Sequence, residues 1–158
     1  MTSLPSINSR IVEALYIEAL VLADAARARF DELRETAGVV QPGCDTEADS
    51  IELTCEALRT TTRVMHCLAW LLNHRAWFAG QLNASQLRRH GRLITHFPAS
   101  DAAIVARLPE DLGALVHESE RLYERIQRLE QAWRNEITPV PGAIERLRDR
   151  LALAQLRA

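Results

Sequence analysis

The sequence predicts an all-α fold, an antiparallel three-helix bundle of long helices with a short C-terminal helical segment. Helix-forming Ala, Leu, Arg and Glu fill most of the chain, whereas only 5% of the residues are aromatic and only six are Gly. Apolar residues recur at alternating steps of three and four over three long stretches, as one face of a helix requires. Pro and Gly cluster between these stretches. With 158 residues, 47% of them hydrophobic, the chain can form one domain with a sizeable core.

The first stretch predicts a helix from about Asn8 to Thr36. Gly38 and the run Gln41-Pro42-Gly43 end it, because Pro lacks an amide donor and Gly readily adopts the left-handed terminating conformation. Its inward stripe is Ile11, Leu15, Ala19, Leu22, Ala26, Phe30 and Leu33.

The second stretch predicts a helix about 50 Å long, capped by Asp45 or Thr46 and ending near Gly80. Thr60, Thr61 and Thr62 should not interrupt it, because their hydroxyls can bond to carbonyls one turn back or face a neighbour. The stripe expected to define its main face is Ile51, Cys55, Leu58, Thr62, Met65, Ala69, Leu72, Ala76 and Ala79.

The third long helix follows an irregular connection. Periodicity fails between Leu82 and Ser100, where we expect at most a short turn of helix. Ser100 and Asp101 can start a short helix, and Pro109 followed by two acidic residues is typical of the first turn of a long one. Its stripe is Leu112, Leu115, Ser119, Leu122, Ile126, Leu129, Trp133 and Ile137.

A Pro/Gly break divides the chain into a three-helix bundle, residues 1–138, and a C-terminal part, residues 139–158. No helix crosses the run 138–142, Thr-Pro-Val-Pro-Gly. The amphipathic segment after it should be separable from the bundle, and either docking or free movement is open for it.

Two of the helices carry more apolar surface than a three-helix monomer can cover. The second helix adds apolar residues on its far side between Val64 and Ala79, and the first has Glu18 as its only charge between Ala14 and Ala23. A two-fold homodimer is the simplest explanation. The alternative is that the loop after helix two and the C-terminal segment fold back over the surplus. The residues expected at the dimer interface are Leu15, Val64, Cys67, Leu71 and Phe78.

Charge is segregated along the chain. Residues 57–100 contain six Arg and no acidic residue, whereas residues 1–56 contain eleven acids and four Arg. The basic block either complements the acidic first helix or docks an acidic protein. Nucleic acid is a weaker third possibility, because no recognition motif accompanies the arginines. The residues expected to dock a partner are Arg63, Trp70, His74, Arg75, Trp77, Arg88, Arg89 and Arg92.

The sequence gives little support for catalysis or for a metal site. His66 and His74 are eight residues apart, too far to share one ion on a helix, and no Glu-x-x-His or Gly-rich phosphate loop occurs. The three cysteines, Cys44, Cys55 and Cys67, form no Cys-x-x-Cys pair and should be reduced thiols buried as small hydrophobic residues. His66, Trp70, His74 and Trp77 form one helical flank, which could line the core or an interface, or form a small-molecule pocket. We therefore expect a protein that is not an enzyme and has no cofactor.

Neither a secretory signal nor an apolar run of about 20 residues is found. The expected location is the cytoplasm, with the cell pole as the narrower expectation.

Three blocks of sequence resemble the regulator-of-CtrA-degradation (RcdA) family of alphaproteobacteria. The first begins Ala14-Leu15-Tyr16-Ile17-Glu18-Ala19 and is similar to the opening helix of that family. Thr61-Thr62-Arg63-Val64-Met65, continuing to Trp70-Leu71-Leu72, is similar to the second helix and is the most specific block. Leu108-Pro109-Glu110 and the run 118–126 resemble the third helix. The likeness covers roughly residues 10–135 in order, but Gly80-Gln81 stands where the family pattern has Gly-Glu.

The resemblance implies a dimeric three-helix bundle without a catalytic site that serves as an adaptor of the ClpXP protease. It further implies a CpdR-like response regulator, a PopA-like effector and CtrA-like cargo as partners, and regulated proteolysis in the cell cycle as the process. The residues alone indicate a dimeric interaction protein; the protease link comes from the resemblance. Two alternatives stay open, a helical regulatory or structural protein without a protease link and a small-molecule sensor.

Overall fold

The computed structural model describes residues 7–37 and 46–137, and these residues form five helices and no strand. The predicted all-α fold is confirmed, and the three long helices begin and end within about two residues of their predicted bounds. The helices are α1 Ser9–Ala37, α2 Thr46–Phe78, α3 Ala84–His90, α4 Ala102–Val105 and α5 Glu110–Ile137. α2 runs without a break through the three threonines, as predicted.

α1 lies antiparallel to both of the other long helices. Near its start, Glu13 accepts a hydrogen bond from Arg75, close to the end of α2, at 2.8 Å. Glu18 pairs with Arg125 in the second half of α5 at 2.7 Å. The N-terminal half of α1 therefore lies beside the C-terminal halves of its two neighbours.

α2 and α5 run parallel to each other. Arg63 in the middle of α2 donates a hydrogen bond to Ser119 in the first half of α5 at 2.7 Å. Near the C-terminal ends of both helices, the ring centroids of His74 and Trp133 lie 5.4 Å apart. Two consecutive long helices can be parallel only if the chain between them returns along the length of the bundle.

The crossover, residues 79–109, is that returning connection. The amide of Leu93 bonds to the carboxylate of Glu130 near the end of α5 at 3.1 Å. Further along the crossover, Arg107 pairs with Asp49 near the start of α2 at 2.8 Å. α3 and α4 are therefore short helical turns within a strap that crosses the bundle from one end to the other.

The core lies between the three long helices and the crossover. On α1 and α5 the predicted inward stripes are confirmed, and Ala19, Leu122 and Ile126 have no exposed surface. Leu87 of α3 and Leu93 of the crossover are also buried. Since hydrophobic burial is the main force for folding, the crossover is part of the domain and not an appendage.

The inward face of α2 is opposite to the main stripe that its periodicity indicates. Leu58, Met65 and Leu72 of that stripe are 67%, 60% and 48% exposed, whereas Val64 and Leu71 from the predicted far side are buried. The buried face also holds polar groups, and for this reason the sequence pattern places it on the outside of the bundle. Those buried polar residues are Glu56, Thr60, Arg63 and His74.

Two predictions fall outside the described residues. One is the cap of the second helix by Asp45, and the other is the division at Thr138 with its separable C-terminal segment.

Candidate protein-interaction surfaces

The outward side of α2 is a long apolar stripe. Positions 51, 55, 58, 62, 65, 69, 72, 76 and 79 alternate in steps of four and three and include no charged residue. Ile51, Leu58, Met65 and Leu72 along it are all exposed. A 3.5-residue repeat is the spacing with which one helix packs along another. The stripe is therefore suited to pack against a further helix.

α1 extends this apolar surface sideways. Ile17, Leu20 and Val21 are 56%, 44% and 66% exposed. Two grooves between α1 and α2 fix the position of Leu20 along the pair: Leu72 lies beside Glu13 in one, and Leu58 lies beside Arg27 in the other. Leu20 is seven residues from each of these α1 positions, on the same helix face, and therefore lies level with the middle of the α2 stripe.

We call the combined surface the outer face. Its α2 part is about 40 Å long from the rise per residue of that helix, and its α1 part spans about one helical turn at residues 17–21. Its members are Ile17, Leu20, Val21, Ile51, Leu58, Met65 and Leu72.

Four of the five residues predicted for a dimer interface lie inside the single chain. Leu15, Val64, Cys67 and Leu71 are at most 3% exposed and belong to one core cluster. A partner cannot reach them without opening the bundle. These four residues therefore belong to the core, and the predicted interface role is wrong for them. The fifth, Phe78, is 38% exposed and packs its ring 4.6 Å from that of Trp77.

The alternative explanation for the excess apolar surface, that other segments of the chain fold back over it, holds in part. Leu93 of the crossover joins the core cluster that contains Cys67 and Trp70, and Phe97 packs against it. The loop after helix two thus folds back over one side of α2. The outer face is the apolar surface that remains among the described residues, and the C-terminal segment named in the same alternative lies outside them.

Three of the six arginines in the basic block serve the fold. Arg59 pairs with the buried Glu56 at 2.7 Å. Arg63 is 2% exposed, so its predicted docking role is corrected to a structural one. Arg75 pairs with Glu13 and lies over the ring of Tyr16, 4.1 Å from its centroid.

The other three arginines are available to a partner. Arg88, Arg89 and Arg92 are exposed and form no ion pair within the described residues. The structure therefore separates the basic block into a structural half and an exposed half.

The predicted Trp–His flank is mostly core. Trp70 and His74 are 1% and 0% exposed and stack with their ring centroids 3.7 Å apart. Trp133 of α5 closes the stack from the side, so neither residue can dock a partner from this position. Trp77 is half-buried, 6.4 Å from Trp133. His66 is half-buried against Phe97.

His74 and Trp70 are incompletely paired in this stack. His74 Nδ1 lies 2.9 Å from the Trp70 carbonyl, which assigns the ring proton to Nδ1. Neither His74 Nε2 nor Trp70 Nε1 has a hydrogen-bond partner within the described residues. Burial lowers the pKa of His74, although the Trp70 carbonyl and Glu130 act in the opposite direction.

The two described cysteines are free, but the predicted burial is confirmed for Cys67 and wrong for Cys55. Burial raises the pKa of Cys67 to about 12, with a small opposing effect of Arg63, whereas Cys55 is exposed on the outer face. Within residues 7–37 and 46–137 no group of three His, Cys, Asp or Glu side chains is placed to hold a metal ion. None of the described helices has an apolar run that could cross a bilayer.

Sequence reasoning missed one exposed apolar residue in particular, Ile94. It is 49% exposed and lies in an irregular segment, where no periodicity marks an outward face. The signal that could have found it is the apolar pair Leu93-Ile94 between Arg92 and His96, because successive side chains of an extended segment point to opposite sides.

Comparison with known proteins identifies the family of this chain. A family model described as a protein of unknown function (DUF1465) matches residues 4–155, almost the whole chain. No curated protein and no solved structure matches the chain significantly.

Proposed function

The chain belongs to the DUF1465 family, and we propose that it is a non-enzymatic adaptor or scaffold that acts through protein–protein contacts. The observation that carries this proposal is the outer face, whose α2 stripe has no charged residue from position 51 to position 79. Ile51, Leu58, Met65 and Leu72 along this stripe are large, apolar and exposed, and burial of apolar surface is favourable by about 25 cal/mol per Å².

We assign the outer face to a homodimer as its first occupant. A two-fold axis at Met65 would place Leu58 of one copy opposite Leu72 of the other, because each lies seven residues from the centre. Such an interface needs the same patch on both copies, and an uncharged stripe creates no like-charge repulsion. Dimerisation would remove the exposed side chains of both copies from water together.

The finer proposal is an adaptor of the kind that the resemblance indicates. The similarity of the three helix blocks to the RcdA family supports promotion of ClpXP-dependent proteolysis of CtrA-like cell-cycle regulators. The partners would be ClpX, a CpdR-like response regulator and a PopA-like effector. An adaptor of this kind needs separate faces for separate partners, and the outer face and the exposed arginines lie on different elements.

A reconstituted degradation assay tests this function. Purified ClpXP, a CpdR-like receiver protein, a PopA-like effector with its nucleotide and CtrA-like cargo are mixed with or without the protein, and loss of cargo is followed over time. The wild-type protein should accelerate the loss. Met65→Glu/Leu72→Glu should abolish the acceleration, because two carboxylates would have to be buried in the interface.

The matched control is Ala114→Glu/Asn135→Glu, which adds the same charge at two exposed positions of α5. It should behave as the wild type. No acceleration by the wild type would overturn the protease link, and full activity of Met65→Glu/Leu72→Glu would overturn the role of the outer face.

A further inference from the structure

A second surface lies where the crossover passes over the C-terminal half of α5. An open cleft of about 700 Å³ separates the two. Arg92, Ile94 and His96 line it on the crossover side, and Gln127 and Gln131 line it on α5. None of these residues belongs to the outer face.

The crossover wall of this cleft is held in place by buried polar contacts. The Leu93 amide donates to Glu130 at 3.1 Å, and the hydroxyl of Tyr123 donates to the carbonyl of Ile94. Leu93 itself is 4% exposed, whereas Ile94 next to it is 49% exposed. One side chain thus anchors the wall and the next is presented to solvent.

His96 shows that this conformation is specified and not a relaxed loop. Its φ of 63° is in the left-handed region, which is unfavourable by about 1 kcal/mol for a residue with a Cβ atom. Beyond it, the Phe97 amide bonds to the hydroxyl of Tyr123 at 3.5 Å. The segment is therefore fixed on both sides of its exposed tip.

α3 brings two more arginines to the same region. Leu87 is fully buried and fixes the orientation of α3. Gly91 then turns the chain into the cleft wall, where a Cβ atom would lie 2.7 Å from the Leu87 carbonyl oxygen. Arg88, Arg89 and Arg92 therefore lie within about 15 Å of one another along the chain.

The charge of this region is positive. Glu130 is the one carboxylate among the residues lining the cleft. It is 4% exposed and already accepts hydrogen bonds from Arg134, at 2.7 Å, and from the Leu93 amide. Arg92, in contrast, has no acidic partner within the described residues, and neither have Arg88 and Arg89.

We propose that the cleft and the exposed arginines of α3 bind an acidic peptide segment of another protein, with Ile94 contacting an apolar side chain of that segment. The proposal rests on the proposed function as a protein-binding adaptor and adds a second site with its own chemistry. The chain's own residues 139–158 are a poor occupant, because they contain four Arg and two acids. Nucleic acid is disfavoured because no Phe, Tyr or Trp lines the cleft for base stacking.

Fluorescence anisotropy with a labelled peptide of Glu and Asp residues around a central leucine pair tests this site. The full chain should bind it at about 0.15 M salt, and affinity should fall as salt increases. Arg88→Glu/Arg89→Glu/Arg92→Glu should weaken binding at least about tenfold, mainly through slower association. Ile94→Ser should weaken binding without changing its salt dependence, because it removes an apolar contact and no charge.

The control is Arg10→Glu/Arg121→Glu/Arg128→Glu, which makes the same change in net charge. These three arginines are exposed and have no ion pair within the described residues. This variant should retain most of the affinity. Equal loss in both triple variants would show a nonspecific charge effect and overturn the site.

Duplex DNA and vesicles of anionic lipid are measured in parallel. Tighter binding of either than of the peptide, lost in the Arg88 triple variant, would overturn the peptide assignment. Met65→Glu/Leu72→Glu should bind the peptide as the wild type does. If the peptide does not bind, the test of the outer face is therefore unaffected. If the outer face proves not to be an interface, peptide binding can still be measured and interpreted.

Discussion

Arg63 shows how one buried cation can organise a helical bundle. Its guanidinium donates to Ser119 of α5 at 2.7 Å and to Ser100 and the Pro98 carbonyl of the crossover at 3.0 and 3.3 Å. Burial lowers the pKa of Arg63, while Glu120, 3.7 Å away, acts in the opposite direction. A single side chain of α2 therefore binds two of the elements that pack on it, α5 and the crossover.

Replacing Arg63 should destabilise the bundle strongly. Arg63→Met removes the donors to three oxygens and leaves Glu120 without its cation, so we expect a loss of about 3 kcal/mol in the free energy of unfolding. Urea denaturation followed by circular dichroism measures it. Arg121→Met, at an exposed position, should change stability by less than about 0.5 kcal/mol. A similar small effect for Arg63→Met would contradict the structural role.

His74 should make stability depend on pH. Because its pKa is lowered in the folded chain, protonation favours the unfolded chain, in which His has a pKa of about 6.5. The stability that neutral His74 contributes is fully present above the pKa of the unfolded chain. This stability is lost as pH falls from that pKa toward the lowered pKa of the folded chain. His74→Phe removes this titration.

Urea unfolding between about pH 7.5 and 5.5 measures the effect. The wild type and His90→Gln, a control at an exposed position, should lose stability over this range. His74→Phe should lose clearly less. An unchanged pH dependence in His74→Phe would show that another group is responsible.

At the scale of the helix, the orientation of α2 is the finding with most consequences. Its two cysteines lie on different sides, because Cys55 is exposed and Cys67 is fully buried with a raised pKa. Reaction with a thiol reagent requires an accessible thiolate. The two cysteines therefore report directly which face of α2 is inside.

Cysteine labelling tests this orientation. In a Cys44→Ser, Met65→Glu/Leu72→Glu background, which keeps a dimer from covering the stripe, Cys55 should react within the time of mixing with an excess of reagent. Cys67 should react only when urea unfolds the chain. If Cys67 reacted in the folded chain and Cys55 only on unfolding, the inward face of α2 would be the one that the sequence periodicity indicates.

The long helices could be predicted because their ends carry strong local signals. Gly38 and Pro42 in the sequence predict the end of α1, and Pro109 with Glu110 and Asp111 predicts the start of α5. The stripe of α5 is the single apolar side of that helix, so its inward face followed from the spacing. In α1 the inward stripe runs the whole length of the helix, whereas the exposed apolar residues Ile17, Leu20 and Val21 are confined to about one turn. At this scale, a pattern of residues close in sequence is sufficient.

The inward face of α2 could not be predicted in the same way. Both of its faces carry large apolar residues, so the spacing does not distinguish them. The buried face also contains Arg63 and Glu56, which are tolerated there because Ser119 and Ser100 pair with them from distant parts of the chain. Such partners are visible only after the chain has folded.

At the scale of the whole molecule, the crossover decides which surfaces stay open. It covers one side of α2 and makes α2 and α5 parallel, while no other part of residues 7–37 and 46–137 covers the outward side of the α1–α2 pair. The sequence indicated only an irregular connection there, because its contacts to Glu120 and Glu130 are far apart along the chain. Two surfaces of different chemistry result, an apolar outer face and a basic cleft.

Sedimentation velocity of the purified chain tests the central claim, that the outer face is a buried interface, most directly. At micromolar concentration we predict a dimer for the wild type and for Ala114→Glu/Asn135→Glu. For Met65→Glu/Leu72→Glu we predict a folded monomer with an unchanged helical spectrum. A monomeric wild type over the whole concentration range, or a dimer that survives Met65→Glu/Leu72→Glu, would contradict the claim.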